Sequence, residues 1–117
     1  MPKKRPEKKK DYLAWLHTLP CVLTGRHGVE AAHTSTAAPE YGHYGRSKGT
    51  KAADLFALPL CPEAHRESHG ENEMGFWFRN NINPHELALV LWAIYSQYDE
   101  YEATERARYR IMLGLPI

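Results

Sequence analysis

Two histidines four residues apart, His65 and His69, lie in the stretch CPEAHRESHG at residues 61–70. A spacing of four is one helical turn, so both imidazoles would point to the same side of a helix. Pro62 suits the first position of that helix and Gly70 suits its end. Neutral imidazole is a common ligand of zinc-like metals. The pair therefore predicts a metal site, and a surface helix whose histidines face water is the alternative.

The spacing also resembles the HExxH helix of metalloproteases, in which the glutamate directly follows the first histidine. Here the turn reads HRESH, and Glu67 follows His65 by two positions. Its carboxylate would point away from the place where the general base of a protease must lie. A two-turn helix is also short for such an enzyme. The pattern therefore argues against a protease.

Two further residues with useful chemistry precede the histidine pair. His33 comes at the end of a predicted extended segment, and Asp54 comes at the start of another. An unperturbed histidine has a pKa of about 6.5, which suits a general base at neutral pH. The order strand, loop, strand, helix would bring His33, Asp54 and the histidine pair into one compact hairpin–helix unit. We therefore expect a single site distributed over that unit.

Cys21 and Cys61 offer a second metal interpretation. Zinc knuckles usually supply their ligands as CxxC pairs, but the third position after each cysteine is Thr24 or Ala64. Two cysteines alone make no closed four-ligand site. We therefore expect both to be small buried residues that lie near each other.

Hydrophobic periodicity and turn residues predict the elements around these residues. The segment 35–51 is rich in glycine and is expected to be a long functional loop. The other expected elements, in chain order, are a helix at about 8–18, extended segments at 21–23 and 29–33, an edge strand at 55–60, a short helix at 73–81, and one long amphipathic helix from Asn83 to near Gly114.

The 117 residues, 43% hydrophobic and 25% charged, fit one small soluble domain. No apolar run is long enough to span a membrane, and no secretory signal is visible. With only two cysteines, the chain is expected in the reducing cytoplasm.

Positive charge is concentrated at the N-terminus, which predicts a disordered basic arm at 1–10 and a single domain at 11–117. Such an arm on a mildly acidic body can bind nucleic-acid phosphates without sequence preference, and a solvated tail is the alternative. Its basic residues are Lys3, Lys4, Arg5, Lys8, Lys9 and Lys10.

These residues in this order resemble an HNH endonuclease of the ββα-metal (His-Me finger) superfamily, most closely the phage and prophage Ref-type branch (recombination enhancement function). The resemblance covers about residues 19–95. It implies an α+β fold, with a ββα-metal core of a short two-stranded hairpin and a metal-bearing helix, flanked by an N-terminal helix and a long C-terminal helix. The matching segments are PCVLTGRHG, VEAAHT, GRSKGTKAADLFALPLC, PEAHRESHG and GFWFRNNINPHELALVLW.

The resemblance also implies a role for each matched residue. His33 matches the general base that activates water, and Asp54 matches the position that orients this histidine or binds the metal. His65 and His69 match the histidines of the metal-bearing helix. One divalent ion (Zn, Mg, Mn or Ni) is the expected cofactor, held by Asp54, His65 and His69.

The chain departs from the family pattern in three places. Asp54 lies eleven residues before His65, slightly more than the common HNH spacing, so an outer-shell role for Asp54 is the alternative to direct metal binding. Relatives with a zinc knuckle carry cysteine at the positions of Thr24 and Ala64, and the resemblance therefore implies that the knuckle has decayed here. Many HNH enzymes have a metal ligand directly before the base histidine, where this chain has Ala32. Asp54 is the first candidate to replace that ligand, and His43 is the second.

DNA, single- or double-stranded, is the expected substrate, and the Ref-type branch implies a recombinase filament as a further partner. Cations on the glycine-rich loop, Arg46, Lys48 and Lys51, are placed to hold the phosphodiester, with a solvated loop as the alternative. Two other functions stay open: a catalytically inactive HNH-like module that binds DNA, and a protein-interaction adaptor that uses the C-terminal helix. The oligomeric state also stays open.

Overall fold

The computed structural model describes residues 9–45, 54–70 and 72–115. The described chain is α+β, as expected, because helices flank one two-stranded antiparallel sheet. The α-helices are α1 (Lys9–Leu16), α2 (Pro62–His69), α3 (Glu73–Arg79), α4 (Pro84–Gln97) and α5 (Glu100–Leu113), the strands are β1 (Glu30–His33) and β2 (Ala57–Leu60), and short 3₁₀ helices span Pro39–Tyr41 and Asp54–Phe56.

The sheet positions the start of α2 against the start of β1. In the antiparallel pair, Glu30 lies opposite Leu60 and His33 lies opposite Ala57. All four residues of β2 are buried. Pro59 can lie in this strand because an edge strand does not need every N–H donor, and its carbonyl accepts a hydrogen bond from the Val22 N–H at 3.1 Å. The chain then enters α2 directly after β2.

The segment expected to be extended at 21–23 forms a turn instead. The Cys21 N–H donates to the Arg26 carbonyl, and the Gly25 N–H donates to the Cys21 carbonyl, both at 2.8 Å. Gly25 has a φ of 75°, a left-handed conformation that glycine adopts without a steric penalty. Because these backbone groups are paired within the turn, they are not available for the hydrogen-bond ladder of a strand.

The prediction of one long C-terminal helix is wrong, because the chain forms α4 and α5 with a break between them. Tyr98 is extended, with φ −124° and ψ 160°. The Asp99 carboxylate then accepts a hydrogen bond from the Glu102 N–H at 2.9 Å and caps the start of α5. The break lets α5 fold back and bury its small-residue face against the core. The buried residues of this face are Ala103, Ala107 and Ile111.

The predicted basic arm falls largely outside the described residues, since 1–8 are not among them. Lys9 and Lys10 are the first residues of α1. Within the described ranges, every helix is too short or too polar to cross a membrane.

An aromatic cluster joins α1 to α4 in the core. The Tyr12 ring lies 4.9 Å from Trp92 and 5.3 Å from Tyr95, measured between centroids. Tyr12 is fully buried, and its hydroxyl has no hydrogen-bond partner within the described parts of the chain. Burial, with a smaller contribution from Tyr95, holds the pKa of Tyr12 well above its ordinary value of 10.0. Ionisation of Tyr12 is therefore strongly disfavoured in the folded core.

The free energy of unfolding of the wild-type protein is expected to fall at alkaline pH, and we expect Tyr12→Phe to remove part of this fall. Because the folded-state pKa is raised, the stabilisation is complete below pH 10 and is lost above it, at up to about 1.4 kcal/mol per pH unit. Urea unfolding between pH 8 and pH 11 would show a shallower decline for the variant than for wild type. At pH 8 the two should agree within about 1 kcal/mol. Tyr109→Phe, at an exposed tyrosine, is the control, and equal declines in Tyr12→Phe and wild type would contradict the assignment.

Candidate functional site

His33 and Asp54, 21 residues apart in the sequence, form a direct hydrogen bond. The distance from His33 Nε2 to Asp54 Oδ1 is 2.7 Å. His33 ends β1 opposite Ala57, so the chain just before β2 passes beside its ring. A carboxylate only accepts hydrogen bonds, so Nε2 carries the proton and, in the neutral ring, Nδ1 keeps the lone pair. The side chains are 23% and 28% exposed, so water can reach the pair.

The two histidines of α2 lie side by side, as predicted from their spacing. Their ring centroids are 4.8 Å apart, with an angle of 47° between the ring planes. The helix forms where Pro62 occupies its first turn, and its buried face consists of Ala64 and Ser68. A hydrogen bond from its own backbone N–H, in the first turn of the helix, lowers the pKa of Glu63 and favours its charged form there.

Glu30 contacts this histidine pair from β1. The distance from His65 Nδ1 to Glu30 Oε1 is 2.7 Å. The proton on Nδ1 is therefore committed to the carboxylate, and Nε2 keeps the lone pair in the neutral ring. Sequence patterns had not pointed to Glu30, although one signal was available. Alternate strand residues share a face, so Glu30 lies on the same face as Ala32, the position where the expected ligand is missing.

The predicted metal set of Asp54, His65 and His69 is divided between two pairs of side chains. Asp54 binds the ring of His33, whereas His65 binds Glu30. In the described ranges, no three His, Cys, Asp or Glu side chains converge closely enough to hold a metal together. Of the two roles predicted for Asp54, the hydrogen bond corresponds to orienting His33.

His43, the second candidate for the missing ligand, is buried and uses both ring nitrogens. Its Nε2 donates to the Thr34 carbonyl at 2.7 Å, and its Nδ1 accepts from the Gly45 N–H at 2.9 Å. Its side chain therefore has no free nitrogen to offer a metal.

The backbone that follows His33 is held by the carboxylate of Glu73, the first residue of α3. This carboxylate accepts hydrogen bonds from the Ser35 N–H at 3.1 Å, the Thr36 N–H at 2.9 Å and the Thr36 hydroxyl at 2.6 Å. Hydrogen bonds to a charged group are the stronger kind in proteins. Glu73 thus ties the exit of β1 to α3.

Two buried histidines hold the carbonyls of the same segment. His43 donates to Thr34, and His85 of α4 donates to the Thr36 carbonyl at 2.7 Å. The His43 ring packs on Phe56, with centroids 4.6 Å apart, and lies edge-on to His85 at 5.5 Å. Phe56 ends the 3₁₀ helix that begins with Asp54. The packing therefore restrains both partners of the His33–Asp54 pair.

We expect Glu73→Gln to lower the free energy of unfolding by about 1–3 kcal/mol, because the amide cannot accept all of these hydrogen bonds with a full charge. Glu67→Gln is the matched control. Glu67 pairs with Arg79 at 3.6 Å on the surface, and such exposed pairs contribute less than about 1 kcal/mol. Urea unfolding of both variants is the measurement, and equal effects would show that Glu73 is an ordinary surface carboxylate.

Cys21 and Cys61 are free and buried, as predicted, and the Cys61 backbone lies within hydrogen-bond reach of the Cys21 thiol. Burial is the largest single influence and raises the pKa of the Cys21 thiol, but hydrogen bonds from the Thr24 hydroxyl and from the backbone N–H groups of Cys61, Leu23 and Thr24 together outweigh it, so the net direction is downward. Thr24 and the Cys61 backbone thus surround the sulfur with donors. This environment would suit a thiolate that binds a metal.

We expect the double variant Thr24→Cys/Ala64→Cys, made in a His69→Ala background, to bind one zinc ion through four sulfurs. Structural zinc sites stabilise a fold by several kcal/mol, so the melting temperature should rise with zinc and fall with a chelator. Thr24→Ser/Ala64→Ser in the same background is the control that cannot close such a site. A four-cysteine variant indifferent to zinc would show that these positions do not form a knuckle.

Most of the predicted phosphate-binding cations fall outside the described residues. These are Lys3, Lys4, Arg5 and Lys8 of the arm and Arg46, Lys48 and Lys51 of the loop.

Comparison with known proteins assigns the chain to a family. The model of a family described as "Protein of unknown function (DUF968)" matches residues 1–80, and the chain therefore belongs to this family. It is also 39% identical over 69 residues to "Uncharacterized protein YdfU" of Escherichia coli (strain K12). That match covers 59% of this chain and 18% of the relative, so the chain spans less than a fifth of that protein. No solved structure matches the chain.

Proposed function

We propose that this DUF968 protein is a metal-dependent HNH endonuclease of phage or prophage origin that hydrolyses DNA phosphodiester bonds, with His33 as its general base. The observation that carries the proposal is the hydrogen bond of 2.7 Å between His33 Nε2 and Asp54. It fixes a tautomer in which Nδ1 can accept a proton, and it leaves the ring partly open to water.

The order of the elements supports the proposal. A two-stranded antiparallel hairpin carries His33 at the end of its first strand, and the helix that follows directly carries His65 and His69. A short hairpin followed by a histidine-bearing helix is the arrangement that the HNH resemblance implies. We therefore assign the sheet and α2 to a ββα-metal core.

In the proposed reaction, His33 Nδ1 removes a proton from a water molecule. The water oxygen forms a bond to phosphorus as the bond from phosphorus to the 3′ oxygen breaks, and this oxygen takes a proton from solvent. Asp54 keeps the ring in the required tautomer and stabilises the imidazolium that forms. The products are a 5′-phosphate and a 3′-hydroxyl.

His65 and His69 supply two of the donors that a divalent metal ion needs, and the described residues bring no third such side chain close enough to complete the set. Adjacent imidazoles one helical turn apart are suitable donors, and imidazole favours zinc or nickel over magnesium. When bound, the ion would stabilise negative charge on the phosphate and on the leaving oxygen. We propose His65 and His69 as its ligands and assign Asp54 to His33.

The binding partners follow from the charges of the chain. We propose that the basic arm and the loop cations Arg46, Lys48 and Lys51 bind the DNA backbone of a single- or double-stranded substrate. A recombinase filament is the partner that the Ref-type resemblance adds. Free cysteines fit a reducing compartment, so we place the activity in the cytoplasm.

Nicking of supercoiled plasmid tests the proposal. We expect the metal-loaded protein to nick DNA and a chelator to stop it. His33→Ala should reduce the rate by about 10²–10⁴-fold, the usual contribution of a general base. Asp54→Asn should reduce it by about 10–100-fold, because the ring remains but its tautomer is no longer fixed. His17→Ala, at an exposed histidine outside the site, should cut like wild type.

Three outcomes separate the functions. If folded His33→Ala cuts as fast as wild type, the base assignment is wrong. If the wild-type protein binds DNA but cuts none with any of the four metals, the chain is an inactive DNA-binding module. If it neither binds nor cuts DNA, an adaptor function is the better interpretation.

A further inference from the structure

We propose that Glu30 is a positioning residue of the metal site. Its carboxylate holds the Nδ1 proton of His65 and thereby presents the Nε2 lone pair to a divalent ion shared with His69. The inference rests on the proposed function only in taking α2 as the metal-bearing helix. It goes beyond that function by adding a residue that neither the HNH pattern nor the sequence had assigned.

The hydrogen bond carries the first step of the argument. At 2.7 Å, the contact between His65 Nδ1 and Glu30 Oε1 is short for a nitrogen–oxygen hydrogen bond, as expected when one partner is charged. A carboxylate cannot donate, so the proton lies on Nδ1 and the neutral ring offers only Nε2 to a metal. Metal-binding histidines commonly give their second N–H to a carboxylate in this way, and the carboxylate raises the basicity of the ligand.

The strand geometry carries the second step. Glu30 lies two residues before Ala32, and alternate residues of a strand share a face. Ala32 is buried and has no donor atom. Because Glu30 lies opposite Leu60, it lies next to the chain that starts α2. Glu30 therefore lies two residues before the usual ligand position, on the same face of the strand. Its carboxylate contacts His65 and would affect the metal through that ligand.

A contribution to folding stability alone is a poor explanation for the contact between Glu30 and His65. The Glu30 side chain is 51% exposed, and exposed ion pairs contribute little to folding. Moreover, the contact restrains one of two adjacent imidazoles whose ring centroids are 4.8 Å apart. A fixed tautomer matters for metal binding, because an Nε2 that carried the proton could not bind an ion.

Zinc binding to the full chain tests the inference without any measure of nuclease activity. Zn²⁺ affinity would be measured by competition with a chromophoric chelator at pH 8, where an ordinary histidine is neutral. We expect Glu30→Ala to weaken the zinc Kd by about 10–100-fold and Glu30→Gln to weaken it less, because the amide oxygen can still accept from Nδ1. His65→Ala and His69→Ala should abolish the specific binding.

Glu67→Gln is the matched control, since it removes one negative charge from α2 at a carboxylate paired with Arg79. Its zinc Kd should stay within about twofold of wild type if Glu30 acts through the hydrogen bond and not through general charge. Thermal unfolding of each variant would confirm that it is folded. A zinc Kd that is unchanged in folded Glu30→Ala would overturn the inference.

The His65 tautomer gives a second readout that a purely structural role would not move. In ¹⁵N NMR spectra of the metal-free protein at pH 8, we expect wild-type His65 to carry its proton on Nδ1 and Glu30→Ala to shift the population towards Nε2. A wild-type ring protonated on Nε2 would also overturn the inference. Zinc binding that depends on Glu30 in a protein that cuts no DNA would refute the nuclease and leave this inference standing. If DNA nicking and zinc affinity are both unchanged in Glu30→Ala, the inference about Glu30 is overturned and the proposed nuclease function stands.

Discussion

The pairing register of β1 and β2 places both candidate pairs of side chains. Because His33 lies opposite Ala57, the chain that enters β2 passes beside its ring and Asp54 reaches Nε2. Because Glu30 lies opposite Leu60, its carboxylate lies beside the start of α2 and reaches His65. A shift of one residue would turn every β1 side chain to the other face. The His33–Asp54 pair and the Glu30–His65 pair therefore depend on a single alignment of two short strands.

Two strands of four residues are marginal on their own, so the rest of the fold has to hold this alignment. β2 is buried along its length, and the backbone after His33 finds partners in Glu73, His43 and His85. Main-chain polar groups that leave water need such partners. Thus α3 and α4, which carry no proposed catalytic residue, support the site through hydrogen bonds to its backbone.

The two carboxylate–imidazole pairs use opposite nitrogens. Asp54 takes the proton on Nε2 of His33, and Glu30 takes the proton on Nδ1 of His65. In each pair the carboxylate determines which nitrogen keeps a lone pair. A base and a metal ligand both need a free lone pair, so the same physical device meets the requirement of both proposed roles.

Local signals in the sequence determined the α+β class, the helix that carries His65 and His69, and the burial of both cysteines. Each depends on residues close together in the chain, such as Pro62 and Gly70 at the ends of α2. The Asp99 cap between α4 and α5 was also local, but the apolar pattern continued across it and hid the break. Only the tertiary structure decided that Asp54 contacts His33 and not the histidine pair of α2, that Glu30 contacts His65 and that His43 is committed to the backbone. These contacts join residues far apart in sequence, and strand register and packing, which no local pattern records, bring them together.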